Sequence, residues 1–171
     1  MIRIELDSIP EGSSHIDLLE EAGELGVGED SGITSFDSPV SLALDAMRSA
    51  TEIVLRGRAG VDVTLDCARC LKQYGTRLEA DINILCVFGQ VAPADADGCR
   101  EGIIEIPQNA RFIDVSGEVR SELMLGLPVK PLCSQACKGL CPVCGADLNE
   151  TTCSCERDEH DSRWDALKDF K

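Results

Sequence analysis

The longest regular pattern in the chain is an alternation of apolar and polar positions over residues 53–67. Every second residue from Ile53 to Cys67 is apolar or glycine, and mostly polar residues fill the positions between them. A period of two is that of a half-buried β-strand. Gly57 and Gly60 predict a bulge or a sharp bend, so the segment is one long curled strand or two nearly continuous ones.

A second alternation, over residues 78–88, predicts an antiparallel neighbour of the first strand. Cys67 and Cys70 then lie at the end of this hairpin, where a short loop turns the chain. An acidic, alanine-rich loop over Val91–Glu101 follows, and Ile103–Ile106 is predicted to form a short strand.

The N-terminal part of the chain carries weaker patterns. Apolar and polar residues alternate over residues 2–6 and again over residues 40–44, which predicts two more strands. Between them we predict a short helix around Ile16 to Glu21, and then a mobile acidic loop at about residues 20–38.

The apolar period changes to four in the segment that begins at residue 115, as on one face of an amphipathic helix. The recurring apolar residues are Val115, Val119, Leu123 and Leu127. Asp114 or Ser116 is the expected N-cap, and Pro128 ends the helix.

Six of the ten cysteines fall within residues 133–155. The segment Cys141-Pro-Val-Cys144-Gly145 has the form of a metal knuckle. Its proline stiffens the turn, and its glycine allows a positive φ. Thiolate sulfur suits Zn²⁺ in tetrahedral Cys₄ sites, so we predict a structural zinc ion held by Cys141 and Cys144.

The remaining ligands can be assigned in more than one way. The candidate pairs are Cys133 with Cys137, Cys153 with Cys155, and Cys67 with Cys70. Either of the two pairs near the knuckle would complete one Cys₄ site. All three pairs with the knuckle make eight thiols, the number for two sites, and a single site with spare thiols is the alternative.

The remaining cysteines and the histidines show no pattern of metal ligands. Cys86 lies on the apolar side of its strand and is interpreted as a core residue. Cys99 has no partner pattern, and His15 and His160 are interpreted as surface residues. A disulfide framework and a thiol or iron redox site are the alternatives to zinc. No phosphate-binding loop, nucleophile motif or zinc-protease pattern occurs, so we expect no enzyme.

Together these features predict the α+β class: a curled antiparallel β-sheet with a packed amphipathic helix and a C-terminal Cys-rich zinc-binding extension. We predict a core domain over residues 1–130. Residues 131–171 would form the metal-binding segment, which ends in a terminal helix around Trp164 and Phe170.

The formal net charge is −15, which opposes unspecific binding to a polyanion. The charge is uneven, because basic side chains outnumber acidic ones over residues 48–78. If RNA is bound directly, the candidate contacts are Arg56, Arg58, Arg69, Lys72 and Arg77. Because neither a signal peptide nor a long apolar segment is visible, we predict a cytoplasmic protein without a membrane span.

Three stretches of the chain resemble the YceD family, the large ribosomal RNA subunit accumulation proteins. They are Val63–Leu71, Leu123–Cys133 and Cys137–Asn149, the last completed by Cys153-Ser-Cys155. The resemblance implies a non-enzymatic cytoplasmic factor needed for accumulation of large-subunit (23S) ribosomal RNA, without a small-molecule substrate. The expected partner is pre-ribosomal large-subunit RNA or a basic large-subunit ribosomal protein, and charge favours the protein.

Overall fold

The structure, a computed structural model, describes residues 1–25, 32–89 and 103–156. These residues form mostly strands and one α-helix. The elements are β1 (Arg3–Glu5), β2 (Gly12–Glu20), β3 (Ile33–Phe36), β4 (Val40–Arg48), β5 (Glu52–Asp66), β6 (Gln73–Phe88), β7 (Ile103–Ile106), β8 (Phe112–Asp114) and α1 (Ser116–Leu125). The predictions for Cys99, His160, the loop at Val91–Glu101 and the terminal helix lie outside the described residues.

An open six-stranded sheet forms the centre of the fold. Its strands follow the order β2-β4-β5-β6-β7, and β3 pairs with the part of β5 that β4 does not reach. All of these pairs are antiparallel except β6 with β7, which is parallel. The strands β1 and β8 form a separate antiparallel pair. Among the described residues, no helix is both long enough and apolar enough to cross a membrane.

The predicted hairpin of β5 and β6 is confirmed, with Cys67 and Cys70 in the loop at its end. Its register runs without a shift from Glu52 opposite Val87 to Asp66 opposite Gln73. The predicted bulge is therefore wrong. A Cβ atom at residue 57 would lie 1.9 Å from the carbonyl oxygen of Ala43 on β4, so this glycine provides space for a closely paired strand. The alternative of a sharp bend stays a prediction.

The predicted helix around Ile16 to Glu21 is wrong, because β2 continues to Glu20. Ile16 lies opposite Leu44 of β4 and Leu18 lies opposite Leu42, and pairing along this strand determines the conformation. The predicted acidic loop at about residues 20–38 is also interrupted by structure. A 3₁₀ turn occupies Ala22–Leu25, β3 follows it, and residues 26–31 lie outside the described part.

The helix α1 lies where the period of four predicted it. Its side chains Val119 and Leu123 are buried in the same apolar cluster as the inner face of the large sheet, which includes Cys86. Val115 occupies the N-cap position, which neither Asp114 nor Ser116 does, but the Asp114 Oδ1 accepts the backbone N–H of Ser116 at 3.0 Å and so satisfies one donor at the helix start. The Ser116 hydroxyl instead accepts a hydrogen bond from the Ile2 N–H at 2.6 Å, which joins the helix start to the N-terminal strand.

Candidate metal centres

The structure brings the eight predicted cysteines together as two groups of four. Within each group the four Sγ atoms all lie within 4.8 Å of one another. We call the first group, Cys67, Cys70, Cys133 and Cys137, the hairpin site. We call the second group, Cys141, Cys144, Cys153 and Cys155, the C-terminal site. The arrangement matches the hypothesis of two sites and not that of one site with spare thiols.

The hairpin site joins parts of the chain that are far apart in sequence. The Sγ atoms of Cys67 and Cys137 lie 3.8 Å apart, and those of Cys70 and Cys133 lie 3.7 Å apart. Cys67, Cys70 and Cys137 are buried. The apolar neighbours of the group are Tyr74, Leu132 and Leu140. This group therefore brings the segment that follows α1 against the end of the hairpin.

The C-terminal site lies within a single short segment and is more open. Cys141 is buried, whereas Cys144 and Cys153 are exposed. Both sites use a loop with the spacing Cys-x-x-Cys, but the cysteines of the C-terminal site are the more exposed.

The distances between sulfur atoms fit a single tetrahedral ion. With Zn–S bonds of about 2.3 Å, neighbouring sulfur atoms of a tetrahedral site are about 3.8 Å apart. A disulfide needs about 2.05 Å, and all the described cysteines are free. Sulfur atoms this close also leave room for one ion rather than for a multi-iron cluster. The donor set of four thiolates therefore fits zinc, with Cys67, Cys70, Cys133 and Cys137 around one ion and the remaining four around another.

The two Cys-x-x-Cys knuckles share one backbone hydrogen-bond pattern. In each, the first cysteine N–H donates to the carbonyl five residues later, and the N–H four residues later donates back. The bonds are Cys67 N–H to Lys72 O at 2.9 Å, Leu71 N–H to Cys67 O at 2.9 Å, Cys141 N–H to Ala146 O at 2.8 Å and Gly145 N–H to Cys141 O at 2.9 Å. The hairpin loop is thus a second knuckle of the same form as the one predicted.

Hydrogen bonds and burial shift the pKa values of four of these thiols. The N–H groups of Cys133 and Cys70 lower the pKa of Cys67 to about 6. Removal from water, followed by hydrogen bonds from the neighbouring thiols, raises the pKa of Cys133 to about 12. In the C-terminal site, Cys141 has a pKa lowered to about 6 by backbone N–H groups, and Cys155 has one raised to about 12, first by its hydrogen bond with the Cys144 thiol. Four thiolates can coexist in such a group only if they share a cation.

Leu71 is a residue of the hairpin knuckle that the sequence did not single out. It has a φ of +59°, where the matching residue of the other knuckle is Gly145 with a φ of +74°. A leucine in the left-handed region is strained, and 67% of this residue is exposed. The signal was present in the sequence, because Leu71 follows Cys70 just as Gly145 follows Cys144.

Replacing Leu71 with glycine is therefore expected to stabilise the chain. Relief of the left-handed strain outweighs the greater freedom of glycine in the unfolded chain, for a net gain of about 0.5–1 kcal/mol. Thermal unfolding with metal bound measures the gain. Gly145→Ala is the matched change in the other knuckle and is expected to lower stability, and a less stable Leu71→Gly variant would contradict the comparison.

The five predicted RNA contacts lie on the hairpin, and most of them have partners within the chain. Arg58 pairs with Asp81 at 3.4 Å, and Arg77 pairs with Asp62 at 3.2 Å. Among the described residues, no ion pair or side-chain hydrogen bond involves Arg56. The solvent-facing side of β5 and β6 therefore carries closely mixed charges rather than a basic patch.

Arg69 and Lys72 form hydrogen bonds and ion pairs with the cysteine-rich C-terminal segment. The Arg69 guanidinium donates to the backbone carbonyl of Cys137 at 2.7 Å. The Lys72 ammonium pairs with Asp147 at 2.9 Å and with Glu150. The hydrogen bond from this ammonium group, followed by that from the Asn149 backbone N–H, holds the pKa of the Asp147 carboxyl below its usual range. Both basic residues thus connect the hairpin loop to the cysteine-rich segment.

Comparison with known proteins identifies relatives of the chain. It matches the family model described as large ribosomal RNA subunit accumulation protein YceD over residues 55–171. It is similar to a chloroplastic YCED homolog 1 of Arabidopsis thaliana, named as a large ribosomal RNA subunit accumulation protein, at 26% identity over 157 residues, which cover 78% of this chain and 49% of the relative.

Two bacterial relatives add to this comparison. Large ribosomal RNA subunit accumulation protein YceD of Haemophilus influenzae is 33% identical over 82 residues, which cover 47% of this chain and 45% of the relative. An uncharacterized protein of Mycobacterium tuberculosis is 25% identical over 141 residues, which cover 79% and 64% of the two chains. The chain spans about half the length of the Arabidopsis and Haemophilus relatives. No solved structure matches it.

Proposed function

Because the chain belongs to the YceD family of large ribosomal RNA subunit accumulation proteins, we propose that it supports the accumulation of large-subunit (23S) ribosomal RNA. The observation that carries this proposal is the family match over residues 55–171, which includes both cysteine groups. The protein would act in the cytoplasm as a non-enzymatic factor in ribosome assembly. The names of the relatives describe RNA accumulation and therefore do not favour the redox alternative.

The proposed role of the metal is structural. The two groups of four thiolates would each hold one zinc ion, which supplies a permanent cross-link between segments of the chain. Thiolates occupy all four positions of each tetrahedral site, so no position is left open for a substrate. Under this proposal, residues 1–130 form the core domain, with a curled sheet and a packed helix, and residues 131–171 form the zinc-binding extension.

The proposed direct partner is a basic large-subunit ribosomal protein. A net charge of −15 attracts a basic protein and repels RNA phosphates. Four of the five candidate RNA contacts are already engaged within the chain, namely Arg58, Arg69, Lys72 and Arg77. Pre-ribosomal RNA would then be reached through the protein partner.

If the direct partner is a protein, reversing the charge of arginines on β5 should not change RNA binding. Arg56→Glu combined with Arg58→Glu is expected to leave binding to large-subunit ribosomal RNA unchanged, because Arg58 pairs with Asp81 and Arg56 lies opposite Asp45 of β4. Filter binding at several salt concentrations measures the affinity of each variant for this RNA. A clear loss of affinity with a reduced salt dependence would instead identify a direct RNA contact.

Depletion of the protein followed by ribosomal subunit profiling tests the proposed function. We expect less mature large subunit and less 23S ribosomal RNA, with small subunits unaffected. Restoration by the normal chain, and by Leu71→Gly as a variant with intact cysteines, is the control. A normal level of large subunits after depletion would overturn the proposal.

A further inference from the structure

The loop of the C-terminal site contributes a side chain to the hairpin site. Asn149 lies between the two cysteine pairs of the C-terminal site. Its side-chain amide nevertheless donates from Nδ2 to the Sγ of Cys137, at 3.5 Å. Its Oδ1 accepts the N–H of Lys138 at 2.8 Å. Asn149 therefore contacts both a predicted ligand of the other site and the backbone beside it.

Asp147 fixes the orientation of the Asn149 amide. The Asp147 Oδ1 accepts the Asn149 backbone N–H at 2.8 Å and its Nδ2 at 2.7 Å. Nδ2 thus uses one hydrogen for Asp147 and the other for the cysteine sulfur. The Asn149 side chain is already held by Asp147. It therefore loses little further conformational entropy when the Cys137 sulfur binds an ion.

Lys72 makes a second connection between the sites, from the opposite direction. Its backbone carbonyl accepts the N–H of Cys67 and closes the hairpin knuckle. Its ammonium group reaches Asp147 and Glu150 in the loop of the C-terminal site. One residue thus belongs to the backbone of one site and to the ion pairs of the other.

Backbone contacts between the two loops complete the connection. The Leu140 N–H donates to the Arg69 carbonyl at 3.1 Å, and the Leu148 N–H donates to the Gly139 carbonyl at 2.9 Å. Gly139 has a φ of +78°, and a Cβ atom there would lie 2.9 Å from the Arg69 carbonyl oxygen. The two loops therefore share backbone hydrogen bonds that disorder of either loop would break.

We propose that the two cysteine sites bind their metal ions cooperatively, with Asn149 and Lys72 as the positioning residues that couple them. This inference rests on the proposed presence of two bound ions. The loop over residues 141–155 becomes fixed when its four thiolates share one ion, and this places Asn149 and Asp147 for the hairpin site. The second site then binds without the cost of ordering them again, and by linkage the coupling acts equally in both directions.

The expected size of the coupling follows from the effect of hydrogen bonds to metal ligands. Groups that hydrogen-bond a metal ligand typically change metal affinity by about 10–100-fold when they are removed. Loss of the Asn149 contact is expected to weaken the hairpin site by about 10-fold. Disruption of the C-terminal site by Cys144→Ser should weaken the hairpin site by a similar factor of about 10, because the loop is then no longer held.

Competition between the full-length chain and a chromophoric chelator tests the proposal, with Zn²⁺ for affinity and Co²⁺ for the thiolate absorption of each site. The variants are Asn149→Ala, Lys72→Met and Cys144→Ser, alone and with Asn149→Ala added to Cys144→Ser. Asn109→Ala and Lys130→Met remove the same side chains at exposed positions away from these contacts. We expect the hairpin site of the unmodified chain to hold its ion about 10-fold more tightly than that of Cys144→Ser, and Asn149→Ala to lose this difference.

The outcomes separate this inference from the proposed function. Asn149→Ala should weaken the hairpin site in the normal chain and have little effect when Cys144→Ser is already present. Two ions that leave independently, with a hairpin site unaffected by Cys144→Ser, would overturn the coupling and leave the two zinc sites in place. Equal losses in Asn109→Ala and Lys130→Met would overturn the positioning roles. A chain that binds no metal would overturn both proposals.

Discussion

Replacing Cys137 with serine is expected to release one of the two bound metal ions and to destabilise the chain by about 4 kcal/mol or more. Cys137 is buried, and its Sγ lies 3.8 Å from that of Cys67. The serine hydroxyl is a poor substitute for a thiolate ligand, so the segment after α1 would lose its attachment to the hairpin. For a chain of this size, the loss lowers Tm by about 8–16 °C, which thermal unfolding with parallel metal analysis measures.

Cys144→Ser is the matched control for this prediction. Cys144 is exposed, and its site closes only a local segment, so the same substitution should remove one ion with a much smaller loss of stability. An unchanged Tm and two retained ions in Cys137→Ser would contradict the structural role of the hairpin site.

Gly57→Ala is expected to destabilise the chain by about 3 kcal/mol or more. A Cβ atom at this position would lie 1.9 Å from the carbonyl oxygen of Ala43 and 2.8 Å from the Cα of Leu44. Both atoms belong to the backbone of β4, which cannot move away without breaking its pairing with β5. Denaturant unfolding of the metal-loaded protein measures the change.

Gly75→Ala provides the comparison on the neighbouring strand. No atom lies within 4 Å of a Cβ built at Gly75 on β6. This substitution should change stability by no more than about 0.5 kcal/mol. If the two alanine variants were equally stable, the close approach of β4 to β5 at residue 57 would be wrong.

The long strands could be predicted from the sequence because their patterns are long and local. In β5 and β6 the alternation continues over many residues, so the period of two is unambiguous. In β2 the apolar residues Leu18 and Leu19 are adjacent, although 72% of Leu19 is exposed. Here the local pattern favours a helix, and only the pairing with β4 makes the segment a strand. The role of Gly57 likewise depends on a strand that lies elsewhere in the sequence.

The candidate ligands could also be predicted, but their division between two sites could not. Spacing identifies Cys141 with Cys144 as a knuckle, since both lie in one turn. The sulfur contact of Cys67 with Cys137 joins residues 70 positions apart, and no local pattern specifies it. The contact of Asn149 with the Cys137 sulfur could not be predicted either, because a polar loop residue shows no sequence pattern that identifies its neighbours in space.

The metal content of the purified full-length chain tests the central claim most directly. Native mass spectrometry, with thiol alkylation in the presence and absence of a chelator, counts the ions and the cysteines that they protect. The two groups of four cysteines predict two zinc ions per chain and eight protected thiols. A chain with no bound metal, with a single ion, or with disulfides among these eight cysteines would contradict the account.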